Sequence, residues 1–560
     1  MQNRLLNLNN LSFKFTLSSH KHSSQEIDHL LPNDTLFQTY KLLLQNNHNL
    51  ETSFQCIGHF HNQSCLFKNL YYNERTFWIL TTKKMVFPLP EVRIGAFTMS
   101  QFNPNRRRFY SYIDLEEFVS HKINPTVIPN ITVYFDQPWL SNIGHALFDG
   151  LYPAFVALIR FQPKHLQPFR ILLHTMSDNG KYSFSQNVYN VFAGLGTMNA
   201  SILEKMSTGR WFAFQEIVMG SGNMCQRCLQ SNLQLPGGIE LNGSMLFRDR
   251  MYKQHDLSPP TIRKNHSFER QHLRRPLKAY VIHNKRFTDD DKIEIQAAID
   301  EINKYTAVNK NQTTENGENL RWPLVHVSYI SYPLIAAREE AKSQFSTPII
   351  QSKTIISNSK MMAHLQLLQH MDIHITGPGT GQMYQTFLPD GSVNINLGGL
   401  GYKKQKNITQ TYTSFLEQYV TAGTPYIKGL YYPINERPLG IKRKIVIQLI
   451  RKAAQLILNG FTIPVHPREN LASDGQLFTE MCELDQQFCM AVTERSEKNS
   501  FWCIDTWPEE VINENGPWSS KGIIDGDRTV MCPCNRTLLN QLRRKYSIDY
   551  HVKTMSNKTL

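Results

Sequence analysis

The sequence predicts an α/β protein built as two Rossmann-like domains facing a cleft, followed by a cysteine-rich C-terminal extension. Three observations predict it. Strand-like apolar runs alternate with helical segments twice, from Ile131 to Met219 and again from Leu277 to Leu397, the pattern of mostly parallel sheets covered on both faces. An irregular segment, residues 222–276, joins the two runs. The second run ends in MDIHITGPGTGQMYQTFLPDGSVNINLGGL (Met371–Leu400), which reads as strand, glycine loop, helix, turn and strand, the unit of a nucleotide-binding layer.

The expected organisation is a leader or stalk at 1–50, an N-terminal Rossmann-like lobe at 51–270, a C-terminal Rossmann-like lobe with a closing helix at 271–462, and a cysteine-rich module at 463–560. Residues 1–50 are rich in Asn, Ser and His. CLFKNLYYN, TFWIL and KMVFPLP then read as short strands between turns. ITVYF (Ile131–Phe135) is a strand broken by Asp136-Gln137-Pro138, and Ser141 or Asn142 caps a helix carrying Ile143 to Phe148. Gly150 and Pro153 are expected to interrupt that helix, with Pro153 opening a new one that reaches Phe161. FRILL, Phe184–Phe192 and Trp211–Met219 continue as strand, helix and strand. In the second lobe come strand LKAYVIH, a helix from Asp289 to Ile302, strand LVHVSYI, helix LIAAREEAK and helix MMAHLQLLQH. Lys442–Leu458 is an amphipathic helix ended by Gly460, its basic residues forming a solvated outer face.

At 560 residues, with 41% hydrophobic and 19% charged residues, the chain is globular and long enough for two or three domains. The formal net charge is +14, from 60 Lys and Arg against 46 Asp and Glu, and the pI is near 9.2. That balance favours phosphate-bearing partners, but the cations are spread along the chain. No basic motif interleaved with aromatics marks a nucleic-acid module, so no nucleic acid is expected. Eleven N-x-[ST] sequons and nine cysteines point to the secretory pathway. The cysteines fall as Cys56/Cys65, Cys225/Cys228 and a cluster at Cys482, Cys489, Cys503, Cys532 and Cys534. A zinc site prefers two matched C-x-x-C knuckles, so disulfides are expected, with one cysteine unpaired. The first thirty residues contain no apolar core of a signal peptide, and no membrane anchor is visible in this chain.

Candidate chemistry concentrates at three places. His145 and Asp149, four apart in SNIGHALFDGLYP, project from one helix face; the carboxylate can orient the imidazole, and either residue can take a proton from an attacking hydroxyl as general base. The structural alternative is a buried histidine satisfied by its acid. Lys285 and Arg286 follow strand LKAYVIHN at its carboxyl end, where cations meet an anionic leaving group; the alternative is an exposed loop pair. Gly377, Gly379, Thr380, Gly381 and Gln382 form the loop and helix start that can receive a phosphate, or else a tight turn needing glycine only for sterics. Asp289-Asp290-Asp291 superficially suggests a metal-binding D-x-D. Thr288 is a good N-cap, however, and acids complement a helix start, so a helix N-terminus is expected and no metal. Asp525-Gly526-Asp527 is expected to be a turn.

Taken together, CLFKNLYYN, NIGHALFDGLYP, WFAFQEIVMGSG, LKAYVIHNKR and TGPGTGQMYQTFLPDGSVNINL resemble, in order, the segments of glycosyltransferase family 61. NIGHALFDGLYP is similar to the family's N-x-x-H-x-x-x-D-x-x-x-P, and FLPDG to its F-L-P-x-G. The family's histidine before the first loop glycine has no match here, and the tail beyond about 465 has no counterpart. The resemblance implies a GT-B architecture and an inverting sugar transfer without a D-x-D metal or other cofactor. The implied donor is a nucleotide sugar, a UDP-sugar foremost, on the C-terminal lobe, and the implied acceptor a glycan or glycoprotein, on the N-terminal lobe. The competing expectation is an inactive secreted relative that binds carbohydrate or acts as a scaffold.

Overall fold

The computed structural model describes residues 49–548 apart from 59–62, 85–91, 96–100, 138, 162–165, 175–182, 221–238, 261–274, 311–320, 332–352, 404–407, 413–414, 494–506, 508–522, 526–527 and 531. The expected stalk up to residue 48, the strand in MVFPLP, the Cys225/Cys228 pair, helix LIAAREEAK and the turn at Gly526-Asp527 lie outside the described residues. What is described is a mixed α/β protein with two main sheets.

The first sheet has eight strands: β1 (Ser53–Ile57), β2 (Ser64–Asn73), β3 (Thr76–Thr81), β4 (Asn105–Arg108), β5 (Thr126–Asp136), β6 (Phe169–His174), β7 (Gly194–Asn199) and β8 (Phe212–Met219). Their order is β4-β3-β2-β8-β5-β6-β7, with β1 paired to β2. Strand β5 lies between β8 and β6, parallel to both. Val127, Ile128, Ile131, Val133 and Phe135 are all buried, which is why this strand reads apolar on both faces. The expected parallel order holds for β5 to β8, and β3 also pairs parallel with β4. Strand β2 runs antiparallel to β1, β3 and β8, and the Cys56–Cys65 disulfide joins facing residues of β1 and β2.

The second sheet is parallel throughout: β9 (Leu277–Ile282), β10 (Val325–Ile330), β11 (Ile373–Thr376), β12 (Val393–Asn396) and β13 (Lys428–Tyr431), in the order β10-β9-β11-β12-β13. Among the helices, those that bear on the site are α1 (Ile143–His145), α2 (Tyr152–Phe161), α3 (Ser183–Ala193), α4 (Ile239–Gln254), α5 (Asp289–Asn309), α6 (Lys353–Leu368), α7 (Thr380–Met383), α8 (Phe415–Ala422) and α9 (Arg443–Asn459). In α9 the buried residues are Val446, Ile447, Ile450, Ala453, Ala454 and Ile457, a three-and-four stripe laid on the second sheet, and Gly460 at φ +76° stops the helix. Helix α4 lies where the sequence reads as irregular. Its buried face mixes Phe247, Met251 and Tyr252 with buried Arg248 and Arg250, and those charges hide the helical period.

One apolar core runs beneath both sheets. Phe148, Phe155, Phe247 and Tyr252 from the first half pack with Leu365, Phe387 and Leu388 from the second. The Phe247 and Phe387 rings stack at 6.0 Å, and Tyr252 Oη donates to Phe387 O at 2.8 Å. Arg248 donates to Leu388 O (3.0 Å) and Asp390 Oδ1 (2.6 Å) and lies over the Tyr426 ring. The FLPDG turn therefore ties the two halves together. The C-terminal segment shares a further core with Tyr419 and Ala422 of α8, and Cys482–Cys489 is a disulfide within it. No helix among the described residues is long and apolar enough to cross a membrane.

The aspartate triplet opens α5 as expected. Thr288 and Asp291 form a capping box, Asp289 pairs with Lys292, and buried Asp291 takes Arg437 (2.9 and 3.3 Å) and the Ile441 N–H (2.8 Å). Burial pushes the Asp291 carboxyl up, but Arg437 and these N–H donors outweigh it and hold it below the ordinary 3.8. Arg437→Met strands the carboxylate and should cost about 3–5 kcal/mol in urea unfolding at neutral pH. The pair's contribution is present above the ordinary carboxylate range and is lost as pH falls through the lower folded value. Asp291→Asn should accordingly flatten the acid limb of the stability profile.

Candidate active site

The site begins at the carboxyl end of β5. Asn142 caps α1, its Oδ1 accepting from Gly144 N at 3.1 Å. The expected break at Gly150 does not occur. The helix instead widens into a π turn over Ala146–Leu151 and runs on into α2. Widening frees main-chain carbonyls from the ordinary ladder, and outside donors meet them: Gln137 Nε2 bonds His145 O at 2.7 Å, and Tyr189 Oη bonds Ala146 O at 2.5 Å. Gly150 makes this possible, since a Cβ there would lie 2.6 Å from Gln137 Nε2 and 2.8 Å from Tyr189 Oη.

His145 and Asp149 sit at the two sides of this turn. Nδ1 of His145 lies 2.5 Å from Asp149 Oδ2. The Asp149 side chain is 4% exposed and that of His145 is 43% exposed. The carboxylate is thus the buried orienting partner and the imidazole the group that reaches solvent. The Trp139 ring lies 5.0 Å from the His145 ring.

The glycine loop, which lies in the other half of the chain, meets this helix. Thr380 Oγ1 donates to Asn142 Oδ1 at 2.9 Å, and a Cβ at Gly144 would come within 3.0 Å of that hydroxyl. The loop is also tied to the segment carrying Lys285 and Arg286. Asn284 Nδ2 donates to Pro378 O (3.0 Å) while its Oδ1 accepts from Arg286 N (2.9 Å). Arg286 is half-buried and Lys285 exposed.

The three loop glycines differ. A Cβ at Gly377 would strike Gly398 O and Phe287, and one at Gly381 would crowd Thr376 Oγ1, so both serve packing. Gly379, at φ +111°, has open space where a Cβ would be. Gln382, expected to face a ligand, is fully buried and turned inward. Its Nε2 approaches Gln385, which accepts from Asn394 Nδ2 (2.7 Å) and Thr421 Oγ1 (2.6 Å). Asn394 Oδ1 also bonds His374 Nδ1 (2.8 Å), and burial pulls that imidazole down to about 4, keeping it neutral. The helix expected between the glycine loop and the FLPDG turn is short: α7 spans four residues and passes into a 3-10 turn at Tyr384–Phe387.

Two further groups carry no signal in the sequence. Glu417, on α8 and buried, accepts the Gly379 N–H at 2.7 Å. Burial raises its carboxyl above the ordinary 4.5, and that N–H, Arg286 and His145 only partly offset the rise, so these groups converge on one place. His174 Nδ1 stands 3.4 Å from buried Asp136 Oδ1, where the carboxyl ends of β6 and β5 adjoin. The Asp136 carboxylate beside it holds that imidazole above its ordinary 6.5.

A mixed α/β protein with a His–Asp pair facing a loop from its second sheet is the class these features define. No family model matches the chain, and no curated protein matches it.

Gly150→Ala should displace Gln137 and Tyr189 from the carbonyls they satisfy. Urea unfolding should show a loss of about 1–3 kcal/mol, the usual cost of overpacking a filled core.

Proposed function

We propose that the protein is an inverting glycosyltransferase of GT-B arrangement, moving a sugar from a nucleotide-sugar donor, a UDP-sugar foremost, to a hydroxyl of a glycan or glycoprotein. The observation that carries this is the meeting of the His145 helix with the glycine loop through Asn142 and Thr380. A base on one half thereby faces cations and a loop on the other. The ordered likeness of five segments to glycosyltransferase family 61 supports the same chemistry.

In the proposed reaction His145, oriented by Asp149, takes the proton of the acceptor hydroxyl through its Nε2. The acceptor oxygen bonds to the anomeric carbon as the bond from that carbon to the diphosphate oxygen breaks. Asp149 stabilises the imidazolium, and Arg286, with Lys285 beside it, offsets the charge of the departing diphosphate. The compartment that fits is the Golgi or endoplasmic reticulum lumen, given the Cys56–Cys65 and Cys482–Cys489 disulfides and the sequons.

A second reading, an inactive carbohydrate-binding or scaffold protein, is favoured by one observation. The Gly379 N–H, the amide a phosphate would use, is taken by Glu417. Thermal shift against a panel of nucleotide sugars, followed by hydrolysis of whichever stabilises the protein, separates the two. Binding with turnover supports the transferase; binding without hydrolysis or transfer supports the scaffold.

Within the transferase reading, Asp149→Asn should lower kcat by about 10²- to 10⁴-fold and leave nucleotide affinity intact. Arg286→Ala should raise the donor KM by about 10- to 100-fold. Unchanged turnover in the first variant removes Asp149 from the mechanism, and an unchanged donor KM in the second removes Arg286.

A further inference from the structure

We propose that Trp139 is the stacking platform for a sugar ring of the acceptor, a subsite that rests on the transferase reading above and names where its acceptor lies. Among the described residues Trp139 is the one tryptophan on the surface, 44% exposed, whereas Trp78, Trp211 and Trp322 are partly covered and Trp507 is buried. Its indole lies beside the imidazole of His145 at 5.0 Å, the two planes tilted by 46°.

The segment carrying Trp139 is held in place. Gln137, fully buried, accepts the Trp139 main-chain N–H on Oε1 (3.0 Å) and donates from Nε2 to His145 O (2.7 Å). Trp139 O in turn accepts from Asn142 N (3.0 Å), and Leu140 beside it is buried. One side-chain amide therefore ties the main chains of Trp139 and His145 to each other, so the segment that carries the indole is positioned beside the proposed base before any ligand arrives.

An indole offers a broad apolar face with an N–H at its edge, and a pyranose offers an apolar C–H face rimmed by hydroxyls. A ring stacked on Trp139 would carry its hydroxyls toward the neighbouring imidazole, as deprotonation by His145 requires. A nucleobase would stack as readily. In the transferase reading, however, the nucleotide lies against the loop and cations of the second sheet, while Trp139 stands at the carboxyl end of β5 in the first.

The test uses the full chain, xylotetraose, mannotetraose and chitotetraose as probes in calorimetry, and UDP as the nucleotide control. The expected result is binding of at least one oligosaccharide, weakened about tenfold or more by Trp139→Ala and less by Trp139→Phe. UDP affinity and melting temperature should stay unchanged in both variants. The proposal is overturned if none of the three binds, if the alanine variant binds as wild type does, or if UDP affinity falls instead, which would assign the indole to the base. The two proposals fail separately. Oligosaccharide binding that needs Trp139 but comes without turnover of any nucleotide sugar would sink the transferase and keep this subsite. Turnover with an acceptor KM unmoved by Trp139→Ala would do the reverse.

Discussion

Everything at the site depends on the apolar join between the two sheets. Asn142 and Thr380 lie 238 positions apart and touch only because the helices behind them share one core. Burying a phenylalanine contributes about 1.5–3 kcal/mol, and each aromatic pair roughly 0.5–1.5 more. Phe148, Phe155, Phe247 and Phe387 together thus outweigh a single exposed hydrogen bond such as Thr380 to Asn142 several times over. The bond reports the geometry; the aromatic core imposes it. Arg248 adds direction to this otherwise non-directional force, since its bonds to Leu388 O and Asp390 fix where the FLPDG turn sits.

The π turn at Ala146–Leu151 is the second constraint, and it depends on the first. A widened turn gives up regular ladder bonds, which costs free energy unless other donors reach the released carbonyls. Gln137 and Tyr189 reach them because position 150 has no side chain and because β5 and α3 hold those donors in place. The outcome is a short-range one. Asp149 is held under the helix, His145 stays at its surface, and the pair keeps contact at 2.5 Å.

Much of this is legible in the sequence for a physical reason. Strands β5 and β6 are largely apolar because both faces are covered, and Thr288, Asn142 and Gly460 mark helix ends through local chemistry that needs no tertiary context. The pair His145 and Asp149 is visible because helix spacing alone brings the two together. What stays hidden is whatever distant packing decides. Helix α4 escapes because Arg248 and Arg250 point inward to carbonyls and rings of other segments. Strand β7, GLGTMN, lacks β-branched residues apart from Thr197 and is held by pairing with β6. Gln382 reads as a loop residue, yet the polar network around Gln385 and Asn394 draws it inside. Glu417 carries no local mark at all, because its partner Gly379 is 38 residues away.

Glu417 also bears on where a diphosphate could rest. The loop presents its one open glycine, Gly379, with the amide already bonded to a carboxylate inside the protein. A phosphate arriving there would have to displace that carboxylate and leave a buried acceptor without its donor, at a cost of about 1–3 kcal/mol, more for a charged group. Helix α7, four residues long, supplies too little aligned dipole to recover that cost. Arg286 bears on the same place. It is half-buried, fixed through Asn284 to the loop, and already felt by Glu417, whose charge it partly offsets. An anion seated on the loop amide therefore meets a penalty that the four-residue helix does not recover, and the Glu417 carboxylate that holds this amide ties the loop to α8 instead.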